Sequence, residues 1–571
     1  MQAISARWES AGASAMNEGV SQKVDRLDEG VLRKLAIAYG ELAGALSENG
    51  RQRAGIEVGE HSVAILRRLA EVPECAGVIG IGEAVRRSPR AVRDLATALK
   101  GFGEDLASAG RDAEALRALN ESLGIHRERA KLEERGSLDR GVEAIRQDEQ
   151  TDRELGVVLG SLGTVLRKDG QAKRAVLAHE EEVRLMSVLA GVNIGAQHEE
   201  VKRAIDRRAS AVRDLALSLL RLGHALLDLS DQGDPERSEA TVREGTRLLR
   251  LLAGLGETSP PMSVQPASAA RREAGHELAI GLGVLVSCLI RRTAYREAAE
   301  VAEEALFLHR KYAGLEEHLD KLQVVCALGR CRSGVTYVAE AEALLAEALS
   351  KSGDRTGAMA AMKRQVALLR LVVGFGEGDD ETSLRLALAR DPSSLKQLAL
   401  ALGYRSRLLQ GPDEATEAGA LAWQCLTISL AILEASKNNN ERWEWLGVAR
   451  TAAEKLVTMF GADEVLVRCL STQLYPEILE TALVRRRYMD FVSAFDAAWG
   501  LGVRFVVPIL GFEEHTRLRQ HALKLLTDAL EALRADAQGA ELVKRLRVTV
   551  ANARRSDSKN AAAVQRVLGK A

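Results

Sequence analysis

Apolar residues at Leu95, Leu99, Phe102 and Leu106 are spaced by four, three and four, with Arg93 and Asp94 just before them and Lys100, Glu104 and Asp105 between them. That spacing puts one apolar stripe and one polar face on a helix, called helix A below. Gly103 lies beside the stripe, where the missing Cβ lets a second helix approach closely. Gly110 then closes helix A as a C-cap candidate, since glycine takes the left-handed conformation without a Cβ penalty. A second stripe begins almost at once, at Ala115, Leu119, Ser122, Leu123 and Ile125, and defines helix B. So short a link between two amphipathic helices predicts an antiparallel hairpin.

The pattern recurs. Its Leu-Gly, Phe-Gly or Leu-Ala step appears at Leu42-Ala43, Phe102-Gly103, Leu162-Gly163, Leu222-Gly223 and Leu282-Gly283, each 60 residues from the last. It returns at Leu345-Ala346 and Leu402-Gly403 after a slip of three that is then recovered, which makes seven copies. A fixed period means one supersecondary unit stacked many times over a continuous core. Insertions between helices A and B, clearest at Ser230 to Pro235, fall in loops that do not break such a stack.

Within each copy the order is Leu-Gly, then Gly seven residues on, Ala five after that, and a small residue seven further. In this order Phe102-Gly103, Gly110, Ala115 and Ser122 resemble the tetratricopeptide repeat. Leu162-Gly163, Gly170 and Ala175 follow the same order, with Glu182 departing at the last place, and Leu345-Ala346, Gly353 and Ala358 follow it again. Ala298, Ala302 and Ala305 give the closest second helix, and the resemblance covers residues 31 to 435. It implies a right-handed α-solenoid of helical hairpins whose A helices line a concave groove.

Tetratricopeptide units are about 34 residues long, so each copy here carries roughly 26 more. That extra segment opens with a glycine after helix B, at Gly77, Gly191, Gly254, Gly314 and Gly374, usually followed by an apolar residue. It turns helical again at Glu199 to Arg208 and Thr382 to Arg390, and Pro89 and Pro392 mark its break from the next helix A. Two long helices and one short connector helix per unit are expected. Residues 1–30 read as an N-terminal cap or flexible segment, 31–435 as the repeats, and 436–571 as a helical C-terminal cap domain. The last begins after Asn438-Asn439-Asn440, read as a turn, and contains ten of the chain's 20 aromatic residues between Trp443 and Phe512.

Composition agrees with an all-α chain: 46% of residues are hydrophobic and only 4% aromatic. A formal net charge of −1 gives no global field for nucleic acid or membrane. Residues 541–571 differ locally, with eight basic residues against two acidic, and a nucleic-acid contact would have to lie there. The six cysteines lack zinc or disulfide-scaffold spacing, the first residues hold no apolar leader, and the longest uncharged apolar run, Leu278 to Ile290, is short of a membrane span. A cytoplasmic protein is expected.

Catalytic chemistry finds no footing in the residues. His198-Glu199-Glu200 opens like a zinc-protease helix, but Lys202 stands where the second histidine must be. Gly77-Val78-Ile79-Gly80-Ile81-Gly82 follows a helix, not a strand, and lacks the Gly-Lys-Ser/Thr ending of a phosphate cradle. No catalytic residue, metal site or cofactor is expected, and the chain is read as a non-enzyme.

The resemblance assigns groove positions to the second, fifth, ninth, twelfth and thirteenth places of the unit. These fall on Thr97, Lys100, Glu104, Ala107 and Ser108 in the second copy, and include Thr164, Arg167 and Lys168 in the third. His224 and Asp228 follow in the fourth copy, Tyr404 and Arg407 in the seventh. Chaperone-binding members clamp a terminal carboxylate with Lys, Asn and Arg at such places; Lys100 fits, while Glu104 stands where Asn is required. The expected function is a scaffold or adaptor holding a peptide or partner protein in the groove. The alternative is a regulatory solenoid, gated by a small ligand or peptide, that signals through its C-terminal domain.

Overall fold

The computed structural model of the protein describes residues 28–48, 51–73, 78–130, 149–229, 235–256, 269–315, 321–376, 378–436 and 439–460. Among them there are eighteen α-helices and no strand. The chain divides into two compact units, Met1–Tyr312 and Ala313–Ala571.

In the first unit, α1 (Glu29–Glu48) and α2 (Gln52–Ala70) form a hairpin, and the short α3 (Val78–Arg87) leads to the next pair, α4 (Pro89–Ser108) and α5 (Asp112–Arg129). The third pair is α6 (Glu149–Lys168) and α7 (Ala172–Ala190). The long α8 (His198–Asp228) breaks its helical geometry at Arg208, so residues 198–207 form a connector and the remainder a helix A. Then come α9 (Pro235–Leu252), α10 (Ala269–Arg291) and α11 (Tyr295–Ala313), which ends at the unit boundary. Helices α1, α4, α6 and α8 each pack on their own helix B, and α4, α6, α8 and α10 each pack on the preceding helix B and the preceding helix A. Helices A therefore form one layer of the unit.

The second unit repeats the plan with α12 (Lys321–Arg330), α13 (Arg332–Ser352), α14 (Arg355–Val373), α15 (Glu381–Arg390), α16 (Pro392–Leu408), α17 (Ala415–Ala435) and α18 (Asn439–Phe460). Here α14 packs between α13 and α16, and α18 packs on α17 and reaches α16. The asparagine cluster read as a turn thus gives Asn439 and Asn440 to the opening of α18.

Close approach inside the hairpin follows from the small residue of the repeated step. A Cβ added at Gly103 would lie 2.8 Å from Cγ of Leu119, and one at Gly163 would lie 2.6 Å from the His179 ring. Leu95, Leu99, Leu106, Ala115, Leu119 and Ile125 are all buried, as the two stripes require. The connector helices belong to the same core: Ile81 and Ala84 of α3 are buried among residues of α2, α4 and α5. Val201 and Ala204, Val324 and Ala327, and Leu384 and Ala387 repeat this buried i, i+3 pair in the other described connectors. Asp391 caps α16, accepting from the Ser394 amide at 3.0 Å, with Pro392 at the first helical position.

Left-handed caps recur at the ends of helices A and B, though Leu229, Leu409 and Ser436 end their helices at negative φ. After helix A the left-handed residue is Gly110, Gly170 or Gly353, but in one copy it is Thr293, at φ 61°. The six-to-one bond is kept there, from the Ala294 amide to the Leu289 carbonyl at 2.9 Å. After helix B it is Gly191, Gly254, Gly314 or Gly374, and the next residue, Val192, Leu255, Leu315 or Phe375, is buried. In the first copy that place is held by Glu71, at φ 53°, followed by buried Val72. Gly77, expected to fill this role, lies six residues further on, outside the described residues. Aromatic residues from Tyr475 to Phe512, the basic segment 541–571 and most of the insertion at Ser230 to Pro235 also lie outside them.

Two helical stretches, Arg271–Arg291 and Ala415–Ala435, are long and apolar enough to cross a membrane by length and composition, unlike the shorter run noted in the sequence. Of their most apolar windows, 67% and 56% are buried against neighbouring helices, so packing on more than one side accounts for their apolar character.

A β-branched residue in the left-handed region is strained, so Thr293→Gly should stabilise the chain by about 1–2 kcal/mol. Gly103→Leu should destabilise it by about 2–3 kcal/mol, because the added side chain meets buried Leu119. Denaturant unfolding of both variants beside the parent checks the two signs; a destabilised Thr293→Gly contradicts the cap.

Candidate functional site

The A layer of the first unit is held in register by arginines that recur every 60 residues. Arg33 pairs with Asp94, Arg93 with Glu154, and Arg153 with Asp214 at 2.7 Å, each partner lying 61 positions ahead. Arg213 reaches Glu273 and Glu277 in the same manner. Residues 61 apart in a 60-residue repeat sit on neighbouring parallel helices, so each bond joins one copy to the next. Helices B carry a second series at a separation of 54: Arg67 to Glu121, Arg127 to Glu181, Arg243 to Glu297 and Arg250 to Glu304.

Several of the candidate groove residues meet on this layer. Lys100 and Glu104 pair along α4 at 2.9 Å, and the Ser161 hydroxyl of α6 donates to Glu104 at 2.6 Å. From α6, Arg167 donates to Asp228 of α8 at 3.0 Å and lies 3.2 Å from Nε2 of His224. Burial and then the charge of Arg167 hold His224 below its ordinary pKa, against the pull of Asp228, so its neutral ring accepts from Arg167. The α4 and α6 groups are thereby tied laterally, and the α6 groups are tied to α8.

The remaining candidates are placed differently. The Thr97 and Thr164 hydroxyls donate to their own helix, to the carbonyls of Arg93 and Gly160, while Ser108 bonds back to the Glu104 carbonyl. Lys168 is exposed, and its charge draws down Asp112, whose carboxyl burial nonetheless raises. In the second unit the Arg407 guanidinium lies over the Tyr404 ring at 5.5 Å.

Beneath the polar band of α6 and α8 lies a buried cluster that the sequence marked only as a departure. Glu182 of α7 is fully buried; it meets His179 at 2.9 Å, accepts from the Ser218 hydroxyl at 2.9 Å, and pairs with Arg221. Burial pushes its carboxyl up, but the Arg221 charge and the bonds from His179 and Arg221 outweigh that and lower it. Ser62 and Ser122, at the equivalent places 60 residues apart, instead donate to the Ala36 and Ala96 carbonyls, each at 2.7 Å. Gly160 and Gly163 leave room on α6 for the larger Glu182 and His179. His126 and His309 are buried elsewhere in helices B and are held to about 4, first by burial and then by the charge of Arg129 and of His276 respectively.

The periodicity of helices A and B does not reveal the arginine series, but Arg93-Asp94, Arg153-Glu154 and Arg213-Asp214 display it as a basic-acidic pair at the repeat period. Among the described residues no three His, Cys, Asp or Glu side chains converge in a way that could hold a metal ion. What the layer offers is a row of hydrogen-bonding and charged groups on successive parallel helices.

These features define an all-α helical-repeat protein built from stacked hairpins. No family model matches the chain, and no curated protein matches it. Among solved structures, BtubC (BKLC) from P. vanneervenii is 14% identical, with 57% of this chain and 95% of that one covered and a TM-score of 0.31. The Naa15/Naa10 complex bound to HypK-THB gives 13% identity over 99% of both chains, with a TM-score of 0.16. Yeast Tom70 gives 13% identity over 77% of this chain and 99% of its own, with a TM-score of 0.14. Likenesses this weak carry no functional information.

Because the folded state refuses protons at His126 and His309 that the unfolded chain accepts, stability should fall as pH drops from about 6.5 to about 4, by on the order of 3 kcal/mol for each ring. Urea titrations across that window should show a shallower fall for His126→Met, the residue found at equivalent position 186; an unchanged slope contradicts the assignment. Glu182→Ala should cost about 3–5 kcal/mol, since it leaves Arg221 and His179 without their buried partner. Thermal unfolding reads this directly, and a change below about 1 kcal/mol would mean the pair is dispensable.

Proposed function

We propose that the chain is a non-enzymatic interaction scaffold and that the A layer of its first unit holds an extended segment of a partner protein. The observation that supports this is the continuous polar band from Lys100 and Glu104 through Ser161 to Arg167, His224 and Asp228, which spans three successive helices. An extended chain lying across parallel helices meets such groups at a regular interval, and side chains already ordered by lateral bonds lose little further entropy on binding. Lys168 and Thr97 extend the band with exposed polar groups at its edges.

We further infer that the 60-residue unit is a tetratricopeptide-like hairpin enlarged by a connector helix. The buried pairs of the connectors support this, because they make the extra segment part of each unit's core.

Affinity purification of the full chain followed by cross-linking and mass spectrometry tests the location. Partner cross-links should concentrate at Lys100 and Lys168, and the triple variant Lys100→Glu, Arg167→Glu, Lys168→Glu should recover at least about tenfold less partner. Undiminished recovery by a folded triple variant, with cross-links confined to helices B, would place the interaction elsewhere.

A further inference from the structure

The second unit contains a cavity of about 340 Å³ between α16, α17 and α18. Its origin is local. Gly403, Ala422 and Gly447 stand where three helices face one another, and no large side chain fills the space between them. Leu400 and Val448 add apolar wall, so part of the surface suits a short hydrocarbon body.

The polar part of the lining is unbalanced. Arg407, Arg450 and Lys455 contribute three cationic groups, against Glu444 as the one acidic lining residue. Arg450 forms an i,i+4 ion pair with Glu454 at 3.7 Å, a separation too long for a hydrogen bond, so its buried Nε has no acceptor. Arg407 is exposed and leans on the Tyr404 ring, with no carboxylate partner among the described residues. Guanidinium groups match phosphate and carboxylate by paired N–H donors, and a buried donor left without an acceptor is costly. The volume lies at the lower end of the roughly 300–1,000 Å³ range of small-molecule sites, too small for a helix or strand of a partner.

We propose that this cavity binds a small organic anion, with a single phosphate or carboxylate group held by Arg407 and Arg450 and a short apolar body against Leu400 and Val448. Lys455, which also donates to the Leu409 carbonyl at 3.5 Å, supplies long-range attraction at the rim. The site is independent of the partner-binding face on the first unit, and it gives the alternative of a ligand-gated repeat protein a place where the ligand would sit.

Isothermal titration of the full chain with phenyl phosphate, benzoate and benzyl alcohol tests this. One of the two anions should saturate with Kd below about 1 mM, and the neutral alcohol should not bind. Phosphate or carboxylate recognition is decided by which anion binds. Arg450→Gln and Arg407→Gln should each weaken binding about tenfold or more, while Arg385→Gln, on the exposed face of α15, should leave it unchanged. Gly447→Leu, which fills the space, should abolish binding in a chain whose helical circular dichroism and melting remain those of the parent; this variant serves if the arginine variants do not fold. The proposal fails if neither anion saturates by about 20 mM, if benzyl alcohol binds equally well, or if folded arginine and Gly447 variants bind as the parent does.

Discussion

Everything in either unit depends on how closely helix A can approach helix B. At Gly103 the space where a Cβ would stand belongs to Leu119, and at Gly163 it belongs to His179. Burying a Leu of this kind contributes about 1.5–3 kcal/mol, and the gain repeats in every copy because the small residue does. A hairpin closed in this way still exposes its outer stripes, so it can become stable only by stacking on the next hairpin. The connector helix takes part in that stacking through its i, i+3 pair of buried apolar residues.

Stacking leaves one freedom unsettled, namely the slide of one hairpin along its neighbour. Apolar stripes alone tolerate a shift of a helical turn with modest loss. The arginine series resists such a shift, since a guanidinium on one copy must meet a carboxylate on the next at a separation of 61 on helices A and 54 on helices B. Many of these pairs are partly exposed, and each alone contributes little; repeated along a stack they select one register. The same register aligns Glu104 with Ser161 and Arg167 with His224, both at a separation of 57, and so produces the polar band on the A layer. Structural order and the proposed binding face thus have a common source.

Where one copy departs from the pattern, its neighbours adjust. Glu182 takes the place of a serine that elsewhere bonds a carbonyl across the hairpin, and a buried carboxylate at that place requires charge compensation. Arg221 and His179 provide it, with Gly160 and Gly163 leaving the volume. Thr293 and Glu71 are departures of another kind, side-chain-bearing residues at left-handed positions that glycine fills at Gly110, Gly170, Gly191, Gly254, Gly314, Gly353 and Gly374. The cavity in the second unit also follows from small residues meeting, here without a large side chain opposite to close the gap.

The amino-acid sequence by itself determined the all-α class, the hairpin and its close step, because spacings of three and four and a glycine at a fixed place are local properties of the chain. It also located the connector helices at residues 198–207 and 381–390 to within a residue. It misplaced the cap of α2 at Gly77, because composition points to glycine and the backbone there uses Glu71. Only the tertiary structure decided which polar residues of the A helices meet, that Arg167 is bound to Asp228 while Lys168 stays exposed, and that Glu182 lies in a buried cluster with Arg221. Those outcomes depend on the register between copies, which is set by many weak contacts across the stack and is written in no single segment.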